Sequence, residues 1–226
     1  MTKKIAVSCG FVIVLCGCVS SPLPQVAGNP GSGEPWNIES KPVEPEPQPE
    51  PEPVKAAPKP KPIRSNIPVE WLPLSRKEKQ WNAIVLHHSA TETGNAAIFD
   101  RMHREEKHWA GVGYDFVIGN GTDSGDGEVE VTFRWQQQVT GAHCGGTPDN
   151  WANEYAVGIC LVGNFNNTVP TTKQMQSLVK LVRFLQKRYG IRTSRIYGHC
   201  TTPGARVTDC PGRNFPLPRL KRILGS

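Results

Sequence analysis

The sequence lacks an apolar run long enough to cross a membrane as a helix. Its main apolar run, Ile5 to Cys18, follows Lys3 and Lys4 and is shorter than the roughly 20 residues that a span requires. The chain also lacks internal repeats, and it has no cluster of Lys and Arg with interleaved aromatic residues. Neither a repeat architecture nor a nucleic-acid partner is therefore predicted.

A short apolar run behind positive charges is typical of a targeting segment that is removed on export. The run ends at Leu15 to Cys18, which resembles a bacterial lipobox, where a small residue precedes a cysteine that is lipidated and becomes the new N-terminus. This makes Cys18 the candidate lipid anchor and residues 1–18 the signal peptide; cleavage elsewhere, or an uncleaved anchor, is the alternative. Because Val19 is not the aspartate associated with inner-membrane retention, we expect an exported protein on the outer membrane, facing the periplasm, in a host with two membranes.

Residues 19–66 are rich in proline, glutamate and lysine and have the composition of a tether. They hold 13 of the chain's 21 prolines, including the alternating run from Glu44 to Pro53. Such a segment buries too little apolar surface to fold, so we expect a disordered or polyproline-II linker with an extended reach of about 150 Å. It is either a spacer that lets an anchored domain search a polymer or a linker whose length matters little.

Residues 67–226 supply one domain of about 160 residues, enough for a single hydrophobic core. From Pro68 onward, 19 Lys and Arg stand against 14 Asp and Glu, so the domain is mildly basic. That excess suits an anionic wall polymer or a membrane surface, although an excess of this size is usually only solvated charge.

Hydrophobic periodicity predicts an α/β fold: a single domain with a central mixed β-sheet flanked by helices. Short apolar runs predict strands at Ala83 to His87, Tyr114 to Ile118, Gln138 to Val139, Ala156 to Val162 and Ile196 to Tyr197. Apolar residues at helical spacing predict helices from Asn95 to about Trp109, from Thr171 or Thr172 to Tyr189, and from Leu217 to Leu224.

Three histidines stand at the ends of predicted strands, and a cysteine follows the last of them. His87 and His88 close the first strand, and His199 follows the last, with Cys210 eleven residues further on. Two His and one Cys give three protein ligands and leave a fourth tetrahedral position for water, the arrangement of a catalytic zinc. However, a strand-end His is often a hydrogen-bonded core residue, and a Cys in an exported protein is more often a disulfide partner. The spacing leaves these alternatives open, and also the choice between His87 and His88.

Six blocks of sequence carry a resemblance to a known family. They occur in the order His87 to Thr91, Gly113 to Ile118, Gly141 to His143, Asn153 to Gly163, Gly198 to His199, and Thr208 to Gly212. In this order the chain resembles the type 2 N-acetylmuramoyl-L-alanine amidases and their relatives, the phage lysozyme-type amidases and the animal peptidoglycan recognition proteins. The likeness runs from about Ala83 to Leu224 and implies a zinc cleft at the edge of the sheet.

The resemblance implies a role for each matching residue. His87, His199 and Cys210 match the three zinc ligands of the family. Tyr114 matches a tyrosine beside the metal-bound water, and Thr208 matches a position that helps to stabilise the oxyanion. Tyr114 as a core aromatic and Thr208 as a turn residue are the structural alternatives.

Further positions match the substrate groove of the family. His143 lies on a block that lines the cleft, Asn153 matches a groove asparagine, and His88 adjoins the first ligand, so these three are the predicted substrate-binding residues. The resemblance also places Cys144 and Cys200 in segments near the site, where an oxidising compartment would allow them to pair.

One position departs from part of the family. Some branches carry a catalytic glutamate in the central strand, where this chain has Cys160, and Glu154 lies outside that motif position. The branch that combines a tyrosine with zinc is the nearest fit. Because a phenol with a pKa of about 10 is a poor base at neutral pH, we expect Tyr114 to position or polarise the water.

The activity implied by the resemblance is zinc-dependent hydrolysis of the amide bond between N-acetylmuramic acid and L-alanine in peptidoglycan, during wall turnover or lysis. The implied partners are Zn²⁺, the peptidoglycan substrate and a membrane held through Cys18, with the protein as a monomer. The main alternative is a non-catalytic module that recognises peptidoglycan from a lipid anchor; such members typically lack the cysteine ligand, whereas Cys210 is present here. A lipoprotein that only tethers the envelope to the wall is the third reading.

Overall fold

Within residues 67–225, a mixed β-sheet of five strands forms the centre of the fold. The computed structural model describes residues 67–225, so the predicted signal peptide, the anchor Cys18 and the linker at 19–66 lie outside the described residues. The strands are β1 (Ala83–His88), β2 (Phe116–Ile118), β3 (Val129–Val131), β4 (Ala156–Leu161) and β5 (Ile196–Gly198). Their order in the sheet is β3-β2-β4-β1-β5, with β3 antiparallel to β2 and all other neighbours parallel.

Helices pack on both faces of this sheet. They are α1 (Ala96–Lys107), α2 (Phe133–Gln137), α3 (Trp151–Tyr155), α4 (Thr172–Tyr189) and α5 (Leu217–Leu224), with 3-10 turns at Val69–Trp71, Pro148–Asn150, Thr193–Arg195 and His199–Thr201. On one face, α4 and α5 bury apolar side chains such as Leu181 and Leu220 against the sheet. On the other, Phe99 of α1 packs with Val117 and Cys160. The predicted α/β class and its central mixed sheet are confirmed.

Helix α4 begins and ends where the sequence predicts. Thr171 Oγ1 accepts a hydrogen bond from Gln174 N, and Gln174 Oε1 accepts one from Thr171 N, both at 3.0 Å, which forms a capping box. Gly190, in the left-handed region at φ 69°, ends the helix. Gln174 Nε2 also donates to Ile118 O and Val162 O, so the helix start is fixed to the ends of two strands. Neither α4 nor any other helix within residues 67–225 is long and apolar enough to span a bilayer.

The two histidines that end β1 point to opposite faces of the sheet. Leu86 belongs to the apolar cluster beneath α4, and His88 shares that face because strand side chains alternate. Val85 belongs to a cluster on the opposite face, and His87 continues its row. His87 pairs in register with Cys160 of β4. His87 therefore faces away from α4, on the side of the sheet where α1 packs against Val117 and Cys160.

The strand predicted at Gln138 to Val139 is wrong. The chain there ends α2, and Gln138 adopts a left-handed conformation at φ 56°. Its Oε1 accepts hydrogen bonds from Trp81 Nε1 and Lys79 N, at 2.9 and 3.0 Å. The Gln138 side chain thus binds a segment that is distant in the sequence, and a local apolar pattern does not reveal such a contact. The antiparallel edge of the sheet is instead Val129–Val131, a strand of three partly buried residues that is too short to predict. The other predicted strands and the predicted helices occur at closely similar bounds.

Candidate metal centre and cleft

His87, His199 and Cys210 converge at one edge of the sheet. Their donor atoms all lie within 4.8 Å of one another. Cys210 Sγ lies 3.5 Å from His87 Nδ1, and the ring centroids of His87 and His199 are 4.8 Å apart. The fold therefore brings together the three side chains that the sequence indicates as metal ligands.

Strand pairing accounts for this convergence. β1 and β5 are parallel neighbours, and their pairing extends to the residues just before His87 and His199. Both histidines consequently leave the sheet at the same edge. Cys210 arrives from the following loop, where its carbonyl oxygen accepts a hydrogen bond from Cys200 N at 2.7 Å. Its own amide donates to Thr208 Oγ1 at 3.1 Å, which fixes Thr208 beside the third ligand.

The chemistry of the three donors fits zinc. Imidazole nitrogen and thiolate sulfur are common zinc ligands, and three of them leave one tetrahedral position open. Burial lowers the pKa of His87 well below its ordinary value, and the neighbouring His143 adds to this effect, so the ring is neutral, as metal binding requires. Burial raises the pKa of the Cys210 thiol to about 12, and ligation to a cation would remove that proton. His199 Nε2 is buried with no hydrogen-bond partner within residues 67–225, a costly state that a bound ion relieves.

Tyr114 lies against the first ligand. Its ring centroid is 5.2 Å from that of His87 and 5.8 Å from that of His103 on α1. Burial raises the pKa of Tyr114 well above its ordinary value, with smaller contributions from Cys160 and Cys210. The hydroxyl is therefore protonated at neutral pH and acts as a hydrogen-bond donor, not as a base.

A cleft of about 390 Å³ opens beside the ligands. The candidate ligand His199 lines this cleft. His143, Asn153 and Thr208, three further residues that the resemblance indicates, line it as well. Across residues 67–225, no Asp or Glu lines this cleft. The absence of a carboxylate agrees with the cysteine found at position 160, where other branches carry glutamate.

Besides Gly145, which has no side chain, two residues of the cleft were missed by sequence reasoning. Trp109 follows α1, is 42% exposed and packs its ring 5.0 Å from that of His103. Its position, two residues after the end of α1 and two before Gly111, is only a weak signal of an exposed aromatic, and the helical pattern predicts it merely as the helix end. Arg206 lies on the loop that leads to the third ligand, and nothing in its local sequence distinguishes it from the other exposed arginines.

Residues 77–213, more than half of the chain, match the sequence model of the N-acetylmuramoyl-L-alanine amidase family. The chain belongs to this family. Peptidoglycan-recognition protein SC2 of Drosophila simulans is 32% identical over 140 residues, covering 58% of this chain and 68% of the relative, and the same figures hold for Drosophila melanogaster. Among solved structures, the N-acetylmuramoyl-L-alanine amidase LysC from Clostridium intestinale URNW is 32% identical with a TM-score of 0.55, over 65% of this chain and 86% of that chain. The amidase family thus offers two kinds of activity, amide hydrolysis and peptidoglycan recognition.

In this member of the amidase family, Asn153 organises the loop that borders the cleft. Its Oδ1 accepts hydrogen bonds from His143 N and Cys144 N, at 2.8 and 2.9 Å. Its Nδ2 donates to Cys144 O and Asn150 Oδ1, at 3.2 and 2.7 Å. The amide group is thus engaged within the protein at both ends, and substrate contact by Asn153 stays a prediction.

His88 lies apart from the cleft of this amidase-family fold. Its Nδ1 accepts a hydrogen bond from Phe165 N at 3.1 Å, and the two rings lie 5.9 Å apart between centroids. The side chain faces the α4 side of the sheet and supports the chain after β4. Substrate binding by His88 stays a prediction, and its surroundings give it a structural role.

The four cysteines within residues 67–225 are free, so the expected pairing of Cys144 with Cys200 is not formed. Cys144 is 1% exposed and packs with Ala83 and Ala152, whereas Cys200 is exposed. The two thiols lie in different environments, one in a core cluster and one at the surface. In this amidase-family chain, Cys210 is the described cysteine that lies in the candidate metal centre.

Proposed function

We propose that this protein is a zinc-dependent N-acetylmuramoyl-L-alanine amidase that hydrolyses the amide bond between N-acetylmuramic acid and L-alanine in peptidoglycan. The observation that carries this proposal is the complete donor set of His87, His199 and Cys210, within 4.8 Å of one another beside an open cleft. Membership of the amidase family supports the same bond class.

Zinc, when bound, supplies Lewis acidity that activates water and polarises an amide carbonyl. The chain's own residues then orient the reactants. Tyr114, protonated and packed against His87, donates a hydrogen bond toward the attacking water. Thr208, held beside Cys210 on the cleft wall, donates its hydroxyl to the carbonyl oxygen as negative charge develops there. Loss of one such donor commonly costs roughly a hundredfold in rate or more.

A second candidate function is recognition of peptidoglycan without cleavage. It is favoured by the relatives named peptidoglycan-recognition proteins, such as protein SC2 of Drosophila simulans. The presence of Cys210 within the donor set favours hydrolysis, because a module that only binds has no need of a third metal ligand.

The test is release of L-alanyl peptides from purified, insoluble peptidoglycan, followed by labelling of new L-alanine amino termini. Zinc-loaded protein should release them, a chelator should stop release, and added zinc should restore it. Cys210→Ala should reduce release to background, whereas Cys200→Ala, at the exposed cysteine nearby, should retain it. Protein that sediments with the wall and releases nothing when zinc-loaded would support recognition and contradict the amidase.

We further propose that Cys18 anchors the protein by a lipid to the outer membrane, with residues 19–66 as the tether that carries the amidase domain to the wall. The motif Leu15 to Cys18 and the proline-rich composition support this proposal. Cys18→Ser should move the protein from the membrane fraction to the soluble periplasmic fraction. Unchanged membrane association of that variant would contradict a lipid anchor at this position.

A further inference from the structure

The ring of His143 is held between two hydrogen-bond partners. Its Nδ1 lies 3.1 Å from His87 Nε2, and its Nε2 lies 3.2 Å from Ala156 O. The side chain is buried, and its ring meets that of His87 at an interplanar angle of 75°. His87 therefore contacts His143 through one ring nitrogen and faces Cys210 Sγ with the other.

These partners determine where the ring protons lie. A backbone carbonyl only accepts hydrogen bonds, so His143 Nε2 carries a proton and donates to Ala156 O. In a neutral imidazole the other nitrogen, Nδ1, is then an acceptor, and it accepts the proton of His87 Nε2. His87 Nδ1 is left unprotonated, which is the state that a metal ligand requires.

Two glycines leave the space that the His143 ring occupies. A Cβ atom at Gly158 would lie 2.5 Å from His143 Cδ2, and one at Gly141 would lie 2.6 Å from the same atom. Both distances are shorter than any ordinary contact of a Cβ atom. On the backbone side, Asn153 Oδ1 accepts the His143 amide proton at 2.8 Å. The ring is thus confined on several sides, with its edge against His87.

We propose that His143 is a positioning residue that holds His87 as the Nε2–H tautomer, with Nδ1 directed at the metal. This role is distinct from the substrate contact that the sequence suggested. Loss of a hydrogen bond to a ligating imidazole typically weakens metal binding by roughly 10–100-fold. The inference rests on the metal centre of the proposed function, and it does not depend on which bond the protein cuts.

The first test reads the tautomers directly in the unaltered protein. Long-range ¹H–¹⁵N spectra of the imidazole groups are recorded on intact, metal-free protein, with His87 and His143 assigned from single-residue variants. Both rings should appear as neutral Nε2–H tautomers. A His87 ring that is Nδ1–H, or that exchanges between tautomers, would overturn the proposal.

The second test measures zinc affinity by competition with a chromogenic chelator, together with the visible absorption spectrum of the Co²⁺-loaded protein. His143→Leu should weaken zinc binding by roughly 10–100-fold and alter the Co²⁺ spectrum. His143→Gln, which keeps one donor and one acceptor, should retain most of the affinity. Cys144→Ala, at the adjacent buried position, controls for loosening of the loop and should bind zinc as the unaltered protein does.

Two outcomes of the second test would overturn the proposal: unchanged affinity and spectrum in His143→Leu, or equal losses in the Leu and Gln variants. The folded fraction of each variant is measured by circular dichroism, so a loss of structure is not mistaken for a loss of affinity. If the unaltered protein bound no zinc, the proposed function would be contradicted. The tautomer measurement would still show whether His143 holds His87 as the Nε2–H tautomer.

Discussion

At the scale of single residues, Cys160 defines what kind of chemistry the cleft supports. It is fully buried and pairs in register with His87. Burial raises the pKa of its thiol well above the ordinary value, so it carries no charge at neutral pH. Tyr114, beside it, is also protonated. The hydrolysis that we propose would consequently depend on a metal and on hydrogen-bond donors, and not on a carboxylate in the central strand.

Gly158→Ala tests how closely the His143 ring is packed. The added Cβ would lie 2.5 Å from His143 Cδ2, so the ring must move. Overpacking of this kind costs typically 1–3 kcal/mol, and we expect about that loss in the free energy of unfolding, with weaker zinc binding. Gly145→Ala is the control, because its Cβ would meet nothing closer than 3.8 Å. Urea unfolding measures the free energy of unfolding of both variants, and zinc titration measures their metal affinity. Equal stability of the two variants would contradict the close packing of the His143 ring.

Asp115 predicts a pH dependence of stability. Its Oδ2 accepts a hydrogen bond from Gly158 N at 2.8 Å, its Oδ1 is buried with no partner within residues 67–225, and burial raises its pKa to about 7. The unfolded carboxyl titrates near 3.9, so the folded state retains its proton between about pH 4 and pH 7. Over that interval the group lowers stability as pH rises, by at most about 1.4 kcal/mol per pH unit.

Asp115→Asn removes this ionisation and keeps an acceptor for Gly158 N. Relative to the unaltered protein, the variant should gain stability steadily from about pH 4 to pH 7 and keep that gain at higher pH. Urea unfolding at several pH values measures the difference. Asp123→Asn, at an exposed position, controls for the removal of one carboxylate. A constant difference between Asp115→Asn and the unaltered protein across this range would show that the folded carboxyl is not protonated.

At the scale of elements, α4 depends on its N-terminal cap. Thr171→Ala removes the acceptor for Gln174 N and breaks the capping box, so we expect a loss of about 1 kcal/mol in the free energy of unfolding. Thr172→Ala, one residue further into the helix, should cost less. Thermal unfolding measures both, and the activity per folded molecule should stay the same because neither residue borders the cleft. Equal effects of the two substitutions would contradict the cap.

Several elements are predictable from the sequence because their signals are local. Asn95 and Thr171 cap helices whose apolar residues recur at helical spacing, and the apolar run that becomes β1 needs no further information. The end of α2 is different. The chain turns at Gln138, whose side chain accepts a hydrogen bond from Trp81, 57 residues away. A short window of sequence contains no information about that contact.

At the scale of the whole molecule, the candidate ligands follow from the resemblance, but their arrangement does not follow from pattern alone. Two adjacent histidines in a strand look alike in the hydrophobic pattern. The resemblance selects His87, and the structure explains the choice, because α4 covers the face of His88. The contact between His87 and His143 joins residues 56 apart. It depends on the pairing of β1 with β4 and on the space above Gly158, which only the assembled sheet provides.

The central claim, that the complete donor set makes this fold a hydrolase of one particular amide bond, is tested most directly on a soluble fragment of peptidoglycan. Zinc-loaded protein is incubated with an N-acetylmuramoyl-L-alanyl peptide, and the products are identified by mass spectrometry. The account predicts two products, a sugar that retains its lactyl carboxyl group and a peptide with a free L-alanine amino terminus, whose masses sum to the substrate plus one water. Intact fragment after binding to zinc-loaded protein, or cleavage at any other bond, would contradict it.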